Sequence, residues 1–312
     1  MRTTAPHTRF ITAILAVALL AAWSVRPALT QDQAPPPPPQ DQAPPPDQGP
    51  PPSYSPDQID KLVSRVALYP DSLLAQVFAA AGFPDQIPDA AKWADEHHYL
   101  AGDALAQAMT ADHLTFDPSV QALLPFPSVL EMMASDMDWT QNLGNAFLAQ
   151  RQDVMDAVQR MRQKAKDYGY LRSNDQVVVN TVGPYIDIDP VNPGFICVPV
   201  YDPLVVFWPP RPGFFVGGAI RFGFGINIGV AFGAWGWGGI RFDWGGHALF
   251  INNVVWGRTW ANRGFYVHPG YAGVHRWGPG PRVEGHRLIG RSAEERRAPR
   301  EGRARPAERH HR

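Results

Sequence analysis

Two tyrosine–aspartate pairs joined to prolines, Tyr69-Pro70-Asp71 and Tyr201-Asp202-Pro203, are the residues best suited to recognition chemistry. A phenol donates and accepts a hydrogen bond and offers an apolar ring, and a carboxylate accepts several bonds. Two such pairs around one groove would suit a sugar or a peptide. The same triplets also read as turns, with Pro70 ending one helix and Asp71 capping the next. Trp235 and Trp237 add aromatic surface from a Gly-rich stretch, so the candidate binding set is Tyr69, Asp71, Tyr201, Asp202, Trp235 and Trp237. Asp187 and Asp189 stand two apart, on one face of a predicted strand. Paired carboxylates serve acid–base chemistry or hold a cation, but alternation with Ile186 and Ile188 suits a solvated face better.

Other reactive types are sparse. His97-His98 beside Glu96, and His310-His311 at the end, have metal-ligating atoms. Adjacent histidines on a helix point in different directions, so a solvated surface is the better reading and no metal is expected. Cys197 is the only cysteine, which excludes a disulfide framework, a Cys-based zinc site and a CxxC redox pair. It reads as a small buried strand residue. The nucleophile elbow, the HExxH zinc motif and the phosphate-binding loop are missing, and Gly223-Phe224-Gly225 lacks the third glycine and the βαβ setting of a dinucleotide fingerprint. No catalytic residue and no cofactor are therefore expected.

The elements that must position these residues divide into two kinds. Ser55-Pro56-Asp57-Gln58 has the form of a capping box with Pro at the first helical position, followed by an apolar stripe of Ile59, Leu62, Val63 and Val66. Asp71 then opens a helix over 72–81 that Gly82 stops, and 88–97, 103–109 and 118–124 repeat the device. Leu143, Phe147, Val154, Val158 and Met161 trace one face of a long helix ending at Gly169. Beyond Asn174 the pattern predicts short strands at 177–179, 185–189, 196–200 and 204–207, arranged as an antiparallel meander. The fold class is α+β: an amino-terminal multi-helix domain, a small antiparallel β meander, a Gly/aromatic-rich β-prone segment and a disordered tail. The span 57–207 is expected to fold on its own.

Between Gly213 and Gly246, 12 of 34 residues are Gly and three are Trp. Phe222, Phe224, Ile226, Ile228, Val230 and Phe232 alternate with small or polar residues, which predicts a strand with one bulky face. The 19 uncharged residues from Phe222 to Ile240 also reach the length of a membrane-spanning helix, but seven of them are Gly, so the β reading is preferred.

The ends read differently. Arg2 and Arg9 precede a 16-residue apolar run, Phe10–Val25, of signal-peptide length, which predicts export with cleavage near Thr30. Residues 31–56 hold 12 prolines and read as a polyproline linker. From Asp57 to Phe207 there are 20 acidic and 9 basic side chains, net −11, whereas Pro281 to Arg312 holds 10 Arg and 5 Glu, net +5. The expected organisation is a signal peptide (1–30), a linker (31–56), a helical subdomain (57–170), a β meander (171–208), a Gly/Trp-rich segment (209–280) and a disordered Arg-rich tail (281–312).

Three stretches, Ala67-Leu68-Tyr69-Pro70-Asp71-Ser72-Leu73-Leu74-Ala75-Gln76, Ile186-Asp187-Ile188-Asp189-Pro190 and Val198-Pro199-Val200-Tyr201-Asp202-Pro203, resemble the exported bacterial proteins of the domain of unknown function thirty-three hundred. A looser match continues through Trp256-Gly257-Arg258-Thr259-Trp260-Ala261-Asn262-Arg263-Gly264. Cys197 stands where the pattern expects an aromatic, and Ser72 where it expects Pro. The resemblance implies no catalytic residue, substrate or cofactor. The leading functional expectation is a non-enzymatic protein of the periplasm or cell envelope. Its expected partners are a membrane surface, an anionic envelope polymer or a second copy of itself, and nucleic acid is not among them. A cell-wall glycan-binding module or glycan-acting enzyme, with its groove at the Tyr-Asp turns, is the alternative.

Overall fold

The computed structural model describes residues 49–213, 216–228 and 230–270. The signal-peptide run, most of the Pro-rich linker and the Arg-rich tail lie outside the described residues.

Local signals set the first helices. Ser55 accepts from Gln58 N while the Gln58 side chain accepts from Ser55 N at 2.8 Å, and this capping box opens α1 (Pro56–Val63). After the turn at Pro70 comes α2 (Asp71–Ala81), apolar on every side and buried at every position but Ser72. A helix without a polar face belongs at the centre. Around it lie α3 (Ile87–Glu96), α4 (Gly102–Ala111), α5 (Pro118–Gln121), α6 (Pro127–Ser135), α7 (Met137–Ala149) and α8 (Arg151–Asp167). Helix α2 packs on α7, α1 on α8 and α3 on α6. The α2–α7 crossing is close enough that a Cβ on Gly144 would sit 1.9 Å from the Ala81 carbonyl oxygen, so only glycine fits there.

Two expectations about these helices change. The single long helix is two, because Gln150 leaves helical geometry (φ −134°, ψ 49°) and its amide binds the backbone of Tyr54, accepting from N at 2.6 Å and donating to O at 3.2 Å. Asp71 does not cap α2. The cap position is Pro70, without a side-chain bond, and Asp71 turns inward.

The carboxy-terminal half is a set of small antiparallel sheets, so the chain is α+β. Strand β1 (Val177–Val182) pairs with β2 (Tyr185–Pro190) as a hairpin. The expected meander stops there: β3 (Phe195–Ile196) pairs with β6 (Ile226–Asn227), and β4 (Pro199–Tyr201) pairs with β5 (Ile220–Phe222). The predicted fourth strand is a helical turn, α9 (Pro203–Val206). Asp202 accepts from Leu204 N at 2.9 Å with Pro203 in the first position, and this cap outweighs the β preference of Leu-Val-Val-Phe. The last sheet is β7 (Arg241–Asp243), β8 (Ala248–Ile251) and β9 (Val254–Val255).

The Gly/aromatic segment forms the short strands β5 and β6 and a 3-10 helix, Val230–Trp235, rather than one alternating strand. No helix among the described residues is long and apolar enough to cross a membrane. Its bulky residues enter the core of the helical half. Phe232, Trp244, Leu249, Ile251 and Trp256 are buried. Ring contacts run from Trp256 to Phe147 (5.6 Å, tilted) and from Phe147 to Phe78 (4.6 Å, stacked). Residues 57–207 therefore share one core with the segment that follows them, which removes the basis for expecting them to fold alone.

Candidate functional site

The buried stripe of α8 includes one charged residue. Arg162 follows Met155 and Val158 at helical spacing and is 0% exposed. Its guanidinium finds a partner on each side. Nη1 lies 2.7 Å from Asp71 Oδ1 and donates to Ile186 O at 2.8 Å, Nε donates to Ala67 O at 2.8 Å, and Nη2 donates to Tyr69 O at 3.1 Å. The Trp244 ring covers it at 5.0 Å. A buried guanidinium is tolerable only when its donors are met. Here one turn, one strand carbonyl and one carboxylate meet them.

Asp71 completes the joint by accepting from Ile188 N at 3.3 Å. Burial pushes its carboxyl up to about 6 against the pull of Arg162, with Asp187 and Asp189 adding to the rise. On the other side of the same turn, Tyr201 donates its hydroxyl to Ser64 O at 2.9 Å and accepts from Leu68 N at 3.3 Å. Burial raises the Tyr201 phenol well above its ordinary value and pushes Tyr69 up to about 12, so both stay protonated. Tyr69 is buried, with its hydroxyl 3.8 Å from Met132 sulfur. The three sequence stretches around Tyr69, Asp187 and Tyr201 thus meet at one internal joint.

Beside the joint opens a cavity of about 440 Å³ whose walls include Asp71, Asp187, Asp189, Trp237 and Arg241. Asp187 accepts from Trp244 Nε1 at 2.8 Å. Burial raises the Asp189 carboxyl, and the neighbouring Asp187 charge raises it further. The cleft is acidic on the β2 side. Among the described residues there is no cluster of three or more metal-ligating side chains suited to an ion.

Of the six candidate residues, Tyr69, Asp71 and Tyr201 come together in the joint, and Asp71 shares the cavity wall with Trp237. The two phenols do not face a common groove, because each is turned into the protein. Asp202 caps α9. Trp235 donates to Gln121 Oε1 at 2.7 Å, and Trp237 donates to Ala122 O at 3.0 Å while packing on Phe126. His97 stacks on Trp93 at 4.0 Å, and Cys197 is buried, with its thiol pushed up by burial. The residue that sequence reasoning missed is Arg162. Its signal was a lone cation on an otherwise apolar helical stripe.

The family model described as "Protein of unknown function (DUF3300)" matches residues 55–277. The uncharacterized protein YacH of Escherichia coli (strain K12) is 35% identical over 224 residues, covering 57% of this chain and 36% of that protein. The chain thus spans about a third of the length of this curated relative. No solved structure matches.

Proposed function

The chain belongs to the DUF3300 family, and from that premise we propose that it is a non-enzymatic module of the cell envelope that docks on an anionic membrane surface. The reading is carried by exposed apolar side chains on and next to the β4–β5 pair. Phe224 is 99% exposed, Leu204 77% and Trp208 62%, with Val200 also exposed. Val200 stands opposite Arg221 in the strand pairing, and Arg221 and Arg211, three residues after Trp208, are both exposed. Large apolar side chains beside arginines suit the boundary between headgroups and acyl chains. Each fully buried side chain contributes about 1.5–3 kcal/mol, and each arginine near an anionic surface about 1 kcal/mol. The inward-turned Tyr69, Asp71 and Tyr201 agree with the same reading, since they hold the fold that presents these side chains. The amino-terminal apolar run and the Arg-rich tail, both read from sequence, agree with export and with an anionic partner.

Co-sedimentation of the full chain with phosphatidylglycerol/phosphatidylcholine vesicles tests the proposal. Binding is expected, weakened by salt and reduced at least about tenfold by Leu204→Ser/Trp208→Ser/Phe224→Ser, since burial of even one such side chain is worth that factor. Vesicle binding that the triple substitution leaves unchanged, or self-association of the chain without vesicle binding, would refute it.

A further inference from the structure

The cavity between the amino end of α2 and β2 is short of cations. Asp71 is 9% exposed, and it spends Oδ1 on Arg162 and on Ile188 N while Oδ2 bonds to nothing among the described residues. Asp187 and Asp189 project from one face of β2 into the same wall, Asp187 half-buried and Asp189 exposed. Each takes one neutral donor, Trp244 Nε1 at 2.8 Å for Asp187 and Asn180 Nδ2 at 3.4 Å for Asp189. Neither joins an ion pair among the described residues. The neighbouring cations are committed elsewhere, Arg162 to the joint and Arg241 to the Phe250 ring at 3.6 Å. Burial, and then the charge of the neighbouring aspartates, raises the carboxyls of Asp71 and Asp189 accordingly.

The described chain ends at the rim of this cavity. Asn252 donates Nδ2 to Gly270 O at 2.7 Å and accepts from Gly238 N at 3.1 Å, and Gly238 belongs to the cavity wall. One side chain therefore separates the last described residue from the site. The residues that follow are basic, since 271–291 hold Arg276, Arg282, Arg287 and Arg291 against a single acid, Glu284. The six residues from Gly270 to Arg276 reach about 20 Å when extended, and each later arginine reaches further. A guanidinium also suits the wall better than a bare cation. Its fork of donors meets carboxylates at separate points, and its flat face lies against aromatic rings, which Trp237 and Phe242 bring to the wall.

We propose that this cavity seats the chain's own basic segment: an arginine of residues 276–291 enters it, with its guanidinium between Asp71 Oδ2 and the carboxylates of Asp187 and Asp189. Attachment at the rim makes the contact intramolecular, so it forms without the translational cost that a free ligand meets. The arginines beyond residue 291 are left for an anionic surface, and the clasp does not rest on membrane docking.

A nitroxide attached at Ser292→Cys in the full chain tests the clasp, read as paramagnetic broadening of the Trp237 Nε1–H and the Gly238 and Gly239 amide resonances. Cys197 is buried and does not compete for the label. At low salt these resonances should broaden, and about 0.5 M salt should relieve the broadening, because the Debye length is then well below its value of about 10 Å at 0.1 M. Arg276→Gln/Arg282→Gln/Arg287→Gln/Arg291→Gln leaves every described residue in place and should lower the ratio of seated to free chain at least about tenfold, the factor one charge-assisted hydrogen bond contributes. Asp187→Asn/Asp189→Asn should do the same from the other side. A segment merely tethered near the rim would give broadening that the four arginine substitutions leave unchanged, and that result overturns the proposal. So does the absence of broadening at the cavity wall, or broadening that needs the label and the observed nucleus on different molecules. The arginine substitutions decide by themselves, so a folding defect in the aspartate variant leaves the test intact.

Discussion

Replacing Arg162 by Met keeps an apolar stem and removes the guanidinium. The buried Asp71 carboxyl then loses its partner at 2.7 Å, and the carbonyls of Ala67 and Tyr69 lose their Arg162 donors, while Ile186 O keeps Gln159 Nε2 at 3.1 Å. Breaking a buried ion pair costs about 3–5 kcal/mol, and each buried acceptor left unmet costs about 1–3 kcal/mol. Counting the pair and a single carbonyl gives about 4–8 kcal/mol, against a total of about 5–15 kcal/mol for an ordinary domain. Urea denaturation followed by tryptophan fluorescence measures the loss, which should appear as a lower midpoint with an unchanged slope. Adding Asp71→Leu to Arg162→Met should recover part of it, because the orphaned carboxyl is gone while the carbonyls stay unmet. Arg162→Lys should fall between, since a single ammonium cannot reach carbonyls on two sides of the joint. If Arg162→Met cost less than about 1 kcal/mol, or if Asp71→Leu brought no recovery, the joint would not be holding the motifs together.

Two further outcomes follow from the packing and the charges. Gly144→Ala should destabilise by about 1–3 kcal/mol or more in the same urea assay, because its methyl meets backbone at 1.9 Å and neither helix can yield cheaply; a neutral substitution would mean that the α2–α7 crossing is looser than described. The Asp71 carboxyl carbon should titrate with a midpoint near 6, as burial outweighs the guanidinium. With a folded value above the ordinary carboxylate value of about 3.9, the folded state holds this proton more tightly than the unfolded chain. Stability from Asp71 is therefore fully present below about 4 and is lost as pH rises through about 6. A carbon-13 titration midpoint below about 4 would reverse that ordering.

Much of the helical half was legible in the sequence because its signals are local. The Ser55–Gln58 box, Pro70 before α2 and the apolar stripes act within one or two turns, so residue type and spacing fix them. The β1–β2 hairpin belongs to the same class, since its partners are adjacent in the chain. The family stretches were also readable, as was the absence of the familiar catalytic motifs.

What the stretches do was decided by tertiary structure. Arg162 reaches carbonyls 93 and 95 residues away, and backbone acceptors leave no trace in side-chain type, so no spacing rule pairs a helix-stripe arginine with the Tyr69 turn. Asp71 looked like a cap because capping is the local option for an aspartate after Pro; a buried cation offered a stronger partner and turned it inward. The strands β3 and β4 found β6 and β5 across a long connection instead of each other, since two- and three-residue strands carry too little pattern to specify a register. Trp244 and Trp256 became core residues for the same reason. Burial depends on which surfaces the whole chain brings together, and the Gly-rich stretch carried no periodicity that named the helix it would cover.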